Sequence, residues 1–371
     1  MTGNIPLSSQ DITDAEVDAV VHVLRSQRLS LGPKLAEFEH AFKTRLGVRH
    51  AISCSSGTAG LHVCWRALGV GPHDEVITTP FSFIASSNSI AFDGGRPVFV
   101  DIDPRTWQID ANRIEAAITP RTKAILPVDI FGNMPDLDAV WDIARRHNLR
   151  VLEDSCEALG ATYKGRLAGT IGEAGIFAFY PNKQITTGEG GMIVTDDDDI
   201  AFQTRSLINQ GRDPDAGWLA HARLGYNYRL SDIQAAMGVV QMQRLDEILA
   251  HRARVADLYR RRLADEPRVS LMHIREDVAI SWFVFVVRLS DDYTQAQRDA
   301  ILTGLAQRGI GCNNYFTPIH LQPYYVKAYG HKPGDFPITE ALSQRTIALP
   351  FHNRLTVDQV DHAVSTLQSL L

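Results

Sequence analysis

Three observations predict an α/β protein. Apolar strand-like runs alternate with amphipathic helical stretches through about the first 195 residues. A long polar, glycine-containing stretch interrupts them, and a second strand-and-helix pattern begins near Val269. Alternation of this kind implies a largely parallel sheet with helices on both faces, and the later pattern implies a smaller α+β domain. A chain of 371 residues accommodates that division. The predicted boundary falls inside a bridging helix. It gives a large domain over residues 1–250, including the N-terminal helices and the start of that helix, and a small C-terminal domain over 251–371.

Each element has a local cause. Residues 14–26 carry Val17, Val20, Val21, Val23 and Leu24 at helical spacing, and 35–46 form a second helix that stops at Gly47. Residues 51–53 read as a short strand, SSGTAG as a tight turn, and 61–68 as a helix ended by Gly69. Strands over 75–78, 97–100, 124–128 and 151–154 alternate with helices over 86–91, 111–118 and 136–146. Residues 176–180 and 192–194 are strands around a glycine-rich turn. The acidic run DDDD is the solvated start of a helix over 200–207, because acids favour a first helical turn. Residues 209–224 read as a loop or flap. One long helix over 231–261 follows, with Ser231 or Asp232 as its cap. A strand over 282–289 and helices over 294–308 and 356–370 complete the pattern.

Composition excludes several classes of function. The chain is 44% hydrophobic and 22% charged, with net charge −6 and a pI of about 6.1. No basic block appears, which argues against nucleic acid and anionic membrane as partners. No apolar stretch reaches the roughly 18 residues of a membrane-spanning helix. The N-terminus lacks a basic region followed by an apolar core, so a cytoplasmic location is expected. Cys54, Cys64, Cys156 and Cys312 follow no zinc or disulfide spacing, and no H-E-x-x-H pattern occurs, so no metal is expected.

The most informative segment is GIFAFYPNKQITTGEGGMIVT, residues 175–195. An apolar run breaks at Pro181 and delivers Lys183 between aromatic residues and the glycines Gly188, Gly190 and Gly191. Glycines there let backbone and ligand approach closely. The chain has seven lysines against thirty arginines, so lysine is not its default cation. A lysine in a partly dry site can lose its proton and form a Schiff base with a carbonyl. Pyridoxal 5'-phosphate is therefore the first cofactor to test; the competing account is a structural lysine in a hairpin loop.

Such a cofactor needs a carboxylate at its pyridine nitrogen, a cradle for its phosphate and a surface against its ring. Asp154 ends the strand VLED, 29 positions before Lys183. Open α/β sheets bind ligands at the carboxyl ends of their strands, so both residues can face one crevice. A helix-capping role is the alternative for Asp154, and its neighbour Glu153 should face the other side of the sheet. The turn around Gly57, Thr58 and Ala59 opens a helix, where unpaired N–H groups and the dipole favour an anion. A plain capped turn is its alternative. Phe83, in the loop PFSFIASSN, can stack on a ring or simply fill the core.

SSGTAG, GPHDEVITTPFSFIAS, GGRPVFVDID, VLEDSCEALGATYKG, FAFYPNKQITTGEGGMIVTDD and LGYNYRLSDIQAA stand in this order. Together they resemble the DegT/DnrJ/EryC1/StrS family of sugar aminotransferases, from about Ile5 to the C-terminus. The resemblance implies PLP fold type I, like aspartate aminotransferase: a mixed, mostly parallel seven-stranded sheet, a small C-terminal domain, and a homodimer with shared active sites. It implies that Lys183 carries the cofactor, that Asp154 meets the pyridine nitrogen, and that Gly57, Thr58 and Ala59 form the phosphate loop. It also implies that Phe83 lies on the ring face and that Asn227 reaches the phosphate in the partner's site.

Three positions depart from the family pattern. Ala178 stands where many relatives have a phosphate-binding serine. Cys156 stands where many have alanine against the ring. Glu157 stands where glutamine or histidine is common, a choice that leans toward enzymes similar to GDP-perosamine synthase. The resemblance further implies ping-pong transfer of an amino group from L-glutamate to C4 of a nucleotide-linked 4-keto-6-deoxyhexose. Arg212, Arg229 and His320 are candidates for holding that substrate, with surface charge or packing as their alternative roles. Amination at C3, a cyclitol substrate, or dehydration on the same scaffold are the rival activities. A dinucleotide-binding α/β protein is a rival of another class, but the chain lacks G-x-G-x-x-G after its first strand.

Overall fold

The computed structural model describes residues 4–213, 217 and 220–371. Its strands are β1 (His50–Cys54), β2 (Glu75–Thr78), β3 (Arg96–Phe99), β4 (Thr122–Ile125) and β5 (Arg150–Asp154), a short hairpin β6 (Thr162–Tyr163) and β7 (Arg166–Leu167), and β8 (Ala174–Ala178) and β9 (Gly191–Thr195). They are followed by β10 (Val269–Leu271), β11 (Val278–Ala279), β12 (Phe285–Leu289) and β13 (Thr346–Leu349). Seven strands form one sheet in the order β1-β9-β8-β5-β4-β2-β3. Every neighbouring pair is parallel except the two that involve β9, so the sheet is mixed and mostly parallel. This is PLP fold type I.

The sheet positions the site through its carboxyl edge. Strands β1 and β8 both run antiparallel to β9, and their last residues, Cys54 and Ala178, both register with Gly191. A side chain at Gly191 would put its Cβ 2.6 Å from the backbone of Ser56, so only glycine lets the turn after β1 close over the sheet. Helix Gly57–Ala67 starts there, four residues before the patterned start, because Ser56 caps it. Strand β8 ends two residues earlier than the apolar run, which puts Tyr180 beyond the sheet.

The two faces are sealed differently. Helix Pro33–Leu46 packs Phe38 edge-on against Phe179, and Phe42 at a tilt against Phe177 and Phe179, with ring centroids 5.3–5.5 Å apart. Burial of each such ring contributes about 1.5–3 kcal/mol. Helix Gly57–Ala67 covers the other face with buried Leu61, Cys64 and Trp65. The bridging helix is two helices, Asp232–Gln243 and Leu245–Arg262, separated at Arg244. No proline or glycine causes this break. Arg244 instead donates to Glu16 at 2.7 Å and to Asp11 at 3.2 Å, a tertiary anchor absent from the helical pattern. The antiparallel sheet β10-β12-β13 has its own core, in which Tyr259 stacks on Phe285 at 4.7 Å. Among the described residues no helix is long and apolar enough to cross a membrane.

Candidate active site

A cleft of about 770 Å³ opens at the carboxyl edge of the large sheet, and its far wall comes from Phe283 and the segment around Tyr315. Gly57, Thr58, Phe83, Asp154, Cys156, Glu157, Ala178 and Lys183 all line it.

Strand alternation sorts the two acids that end β5. Asp154 faces the cleft, where its Oδ2 accepts a hydrogen bond from Ser86 Oγ at 2.6 Å. Ser86 in turn pairs with Ser82 at 2.9 Å. Glu153 faces away and accepts from the backbone N–H of Gly169 at 3.1 Å and Ile171 at 2.6 Å. Burial pushes the Glu153 carboxyl above the usual carboxylate range.

Lys183 follows β8 across a short turn in which its N–H donates to the Tyr180 carbonyl at 2.9 Å. Its ammonium lies 3.4 Å from Glu157 Oε1 and 4.1 Å from the centroid of Phe283. That aromatic face favours a cation where water is sparse. Glu157 accepts a second bond, from the Phe131 N–H at 2.9 Å. Burial raises the Glu157 pKa, and the nearby Lys183 opposes the rise. Burial also holds the Cys156 thiol well above its usual range, so this residue is a small apolar wall rather than a thiolate.

The anion cradle is the start of helix Gly57–Ala67. Ser56 Oγ accepts from the Ala59 N–H at 3.1 Å. The N–H groups of Gly57 and Thr58, in the first turn, have no intrahelical acceptor by geometry. A Cβ on Gly57 would lie 2.8 Å from both Cys156 Sγ and Ala178 Cβ. These positions explain one another: glycine here fits only against small neighbours. Ala59 is buried, does not line the cleft, and its N–H is taken by Ser56.

The remaining expectations separate. Arg212, Asn227 and Arg229 gather around Asn209, outside this chain's own cleft. Arg212 N–H donates to the Asn209 carbonyl at 3.1 Å, Asn227 bridges Asn209 through the backbone, and Arg229 reaches Asn209 Oδ1 at 3.1 Å. Tyr228, beside Asn227, accepts from the Ser55 N–H at 2.7 Å, which docks this segment against the cradle. The His320 side chain is fully buried, its Nε2 lies 3.0 Å from Glu340 Oε1, and it does not line the cleft. Sequence reasoning also missed Ser86, Tyr180, Asn182, Phe283 and Tyr315, which do line it. The small polar run SFIASS was a usable signal for Ser86, and Tyr180 and Asn182 stand beside Lys183 in the chain; Phe283 and Tyr315 arrive only through the fold.

The model of the DegT/DnrJ/EryC1/StrS aminotransferase family matches residues 10–368. The chain belongs to this family. It is 43% identical over 343 residues to GDP-perosamine synthase of Caulobacter vibrioides, covering 92% of this chain and 91% of that one. It is 36% identical to the spore coat polysaccharide biosynthesis protein SpsC of Bacillus subtilis, covering 99% and 97%. Among solved structures, the PLP and PMP forms of the sugar aminotransferase Spr1654 from Streptococcus pneumoniae superpose with a TM-score of 0.94 at 30% identity. These cover 99% of this chain and 97–98% of theirs.

The chain is thus a PLP-dependent sugar aminotransferase. The residues present fit that cofactor: a lysine and a carboxylate share one cleft, and a helix N-terminus opens into it at a glycine whose Cβ would fill the cradle.

Proposed function

We propose that the chain transfers an amino group from L-glutamate to C4 of a nucleotide-linked 4-keto-6-deoxyhexose. When bound, pyridoxal phosphate supplies an electron sink for the carbon that loses its proton. Lys183 would bond the cofactor and, once free, its amine would serve as general base and acid. Asp154, oriented by Ser86, would hold a proton on the pyridine nitrogen. Gly57 and Thr58 would hold the phosphate through backbone N–H groups, with no hydroxyl to add from Ala178. Phe83 and Cys156 would hold the ring. Glu157 keeps the amine of Lys183 near the reacting atoms between half-reactions.

The observation that carries this reading is the amine of Lys183, 3.4 Å from Glu157 and over Phe283, in the same cleft as Asp154 and the helix N-terminus. Among the described residues, the cleft's charged lining is one cation, Lys183, against Asp154, Glu157 and Glu189. Phosphate groups need more positive charge than this, which supports a homodimer in which Arg229 brings charge, and Asn227 a hydrogen-bond donor, to the partner's site. The 43% identity to GDP-perosamine synthase supports C4 of a 6-deoxyhexose over C3 or a cyclitol.

The test is the visible spectrum of the cofactor-loaded protein. L-Glutamate should bleach the band near roughly 410–430 nm with release of 2-oxoglutarate, and a 4-keto-6-deoxyhexose nucleotide should restore it. Lys183→Ala should lack both the band and turnover. A variant that kept normal transamination would remove Lys183 from the mechanism.

A further inference from the structure

Lys183 is held by more than its own contacts. Two buried polar side chains tie the chain on both sides of it to residues 281–283. Arg252, on helix Leu245–Arg262, is 4% exposed. Its guanidinium donates to four backbone carbonyls: Lys183 at 2.6 Å, Phe283 at 3.0 Å, and Asn182 and Trp282 at 3.4 Å each. Gln184 Nε2 donates to the carbonyl of Glu157 at 2.5 Å, and to the carbonyl and hydroxyl of Ser281 at 3.1 and 3.2 Å.

A buried arginine is ordinarily matched with a carboxylate. Here the carbonyls of two segments take that part, with the face of Phe351 at 5.6 Å. Burial lowers the Arg252 pKa to about 10, so the group stays charged at neutral pH. One segment carries the reactive amine. The other carries the ring beneath it.

We propose that Arg252 and Gln184 are positioning residues for the reaction, forming a bracket that fixes the backbone of Lys183 against Phe283. The amine then moves only by rotation of its own side chain above that ring. This inference rests on the role given to Lys183 above. A planar guanidinium fork can span two segments, whereas a lysine ammonium offers a single point of attachment.

The test uses the full-length, cofactor-loaded protein carrying Arg252→Lys, with Gln184→Met as the second variant. The visible band should persist, because Lys183 still bonds the cofactor, but its pH midpoint should move. Displacement by a fraction of an ångström to 1 Å should lower kcat by about 10- to 100-fold while both KM values hold within about twofold. In the cofactor-free protein, amide hydrogen exchange in a peptide spanning 182–184 should accelerate.

Lys183→Ala, lacking the band altogether, separates failure of the lysine assignment from failure of the bracket. Variants that melt like the parent and keep its kcat, pH midpoint and exchange rate would overturn the proposal. If Arg252→Lys does not fold, Gln184→Met decides on the same readouts.

Discussion

The floor and the rim of the cleft are built in opposite ways. On the floor, Asp154 and Glu157 are 4% and 6% exposed, and each has fixed partners: Ser86 for one, Phe131 and Lys183 for the other. On the rim, Tyr180 is 52% exposed. Asn314 there bonds only locally, its N–H to Asn313 Oδ1 at 2.9 Å and its side-chain amide to Thr317 at 3.4 Å. The floor stands on strand ends that the core fixes. The rim stands on connecting segments, free to vary without disturbing the sheet. Chemistry shared with the family therefore belongs to the floor, and choice of sugar belongs to the rim.

The sharpest break in that contrast is Asp154→Asn. It preserves size and the Ser86 contact but removes the charge. Loss of one preorganised electrostatic contact in a dry site costs about 10²–10³ in rate. That loss should appear in kcat of the glutamate half-reaction, measured by stopped flow, with folding intact. A normal rate would move the chemistry off the floor. Gly57→Ala comes next. Its Cβ would press on Cys156 Sγ and Ala178 Cβ, and overpacking of this kind costs about 1–3 kcal/mol. Cofactor affinity should fall by about tenfold by titration of the cofactor-free protein, and Cys156→Ala in the same chain should recover part of it.

The same contrast explains what was legible in the sequence. Strand β2 matches its expected bounds because its cause is a local apolar run between turn signals. Lys183, Asp154 and Gly57 were legible because each sits at a strand end or helix start that local pattern marks. Ser86 meets Asp154 across 68 positions, and Arg252 meets Lys183 across 69, distances over which a single sequence carries no pairing signal. His320 stood among the candidates for holding the substrate. In the fold it turns into a pocket against Phe336 and Glu340.

The rim is tested by Asn314→Ala and Gln322→Ala, both cleft residues. Truncation of one hydrogen-bonding side chain costs roughly 1 kcal/mol, about fivefold. The expected effect is a rise of that size in KM for the keto-sugar nucleotide, with the glutamate half-reaction unchanged. An equal effect on both half-reactions would erase the division between floor and rim.

The smallest expected effect concerns what the floor costs in stability. Burial raises the pKa of Glu157 above the ordinary carboxyl value of 4.5, with Lys183 only partly offsetting it. A carboxyl whose pKa is raised on folding binds more protons folded than unfolded, so its contribution to stability declines as pH rises through that interval. Glu157→Gln keeps an acceptor for the Phe131 N–H and cannot ionise. In the cofactor-free protein, the melting temperature of the variant relative to the parent should therefore climb as pH rises above the ordinary carboxyl value of 4.5. Activity should fall in the same variant, because the amine of Lys183 loses its carboxylate. A melting difference that stays flat with pH would mean that Glu157 is ionised without penalty, and that the floor is no more strained than the rim.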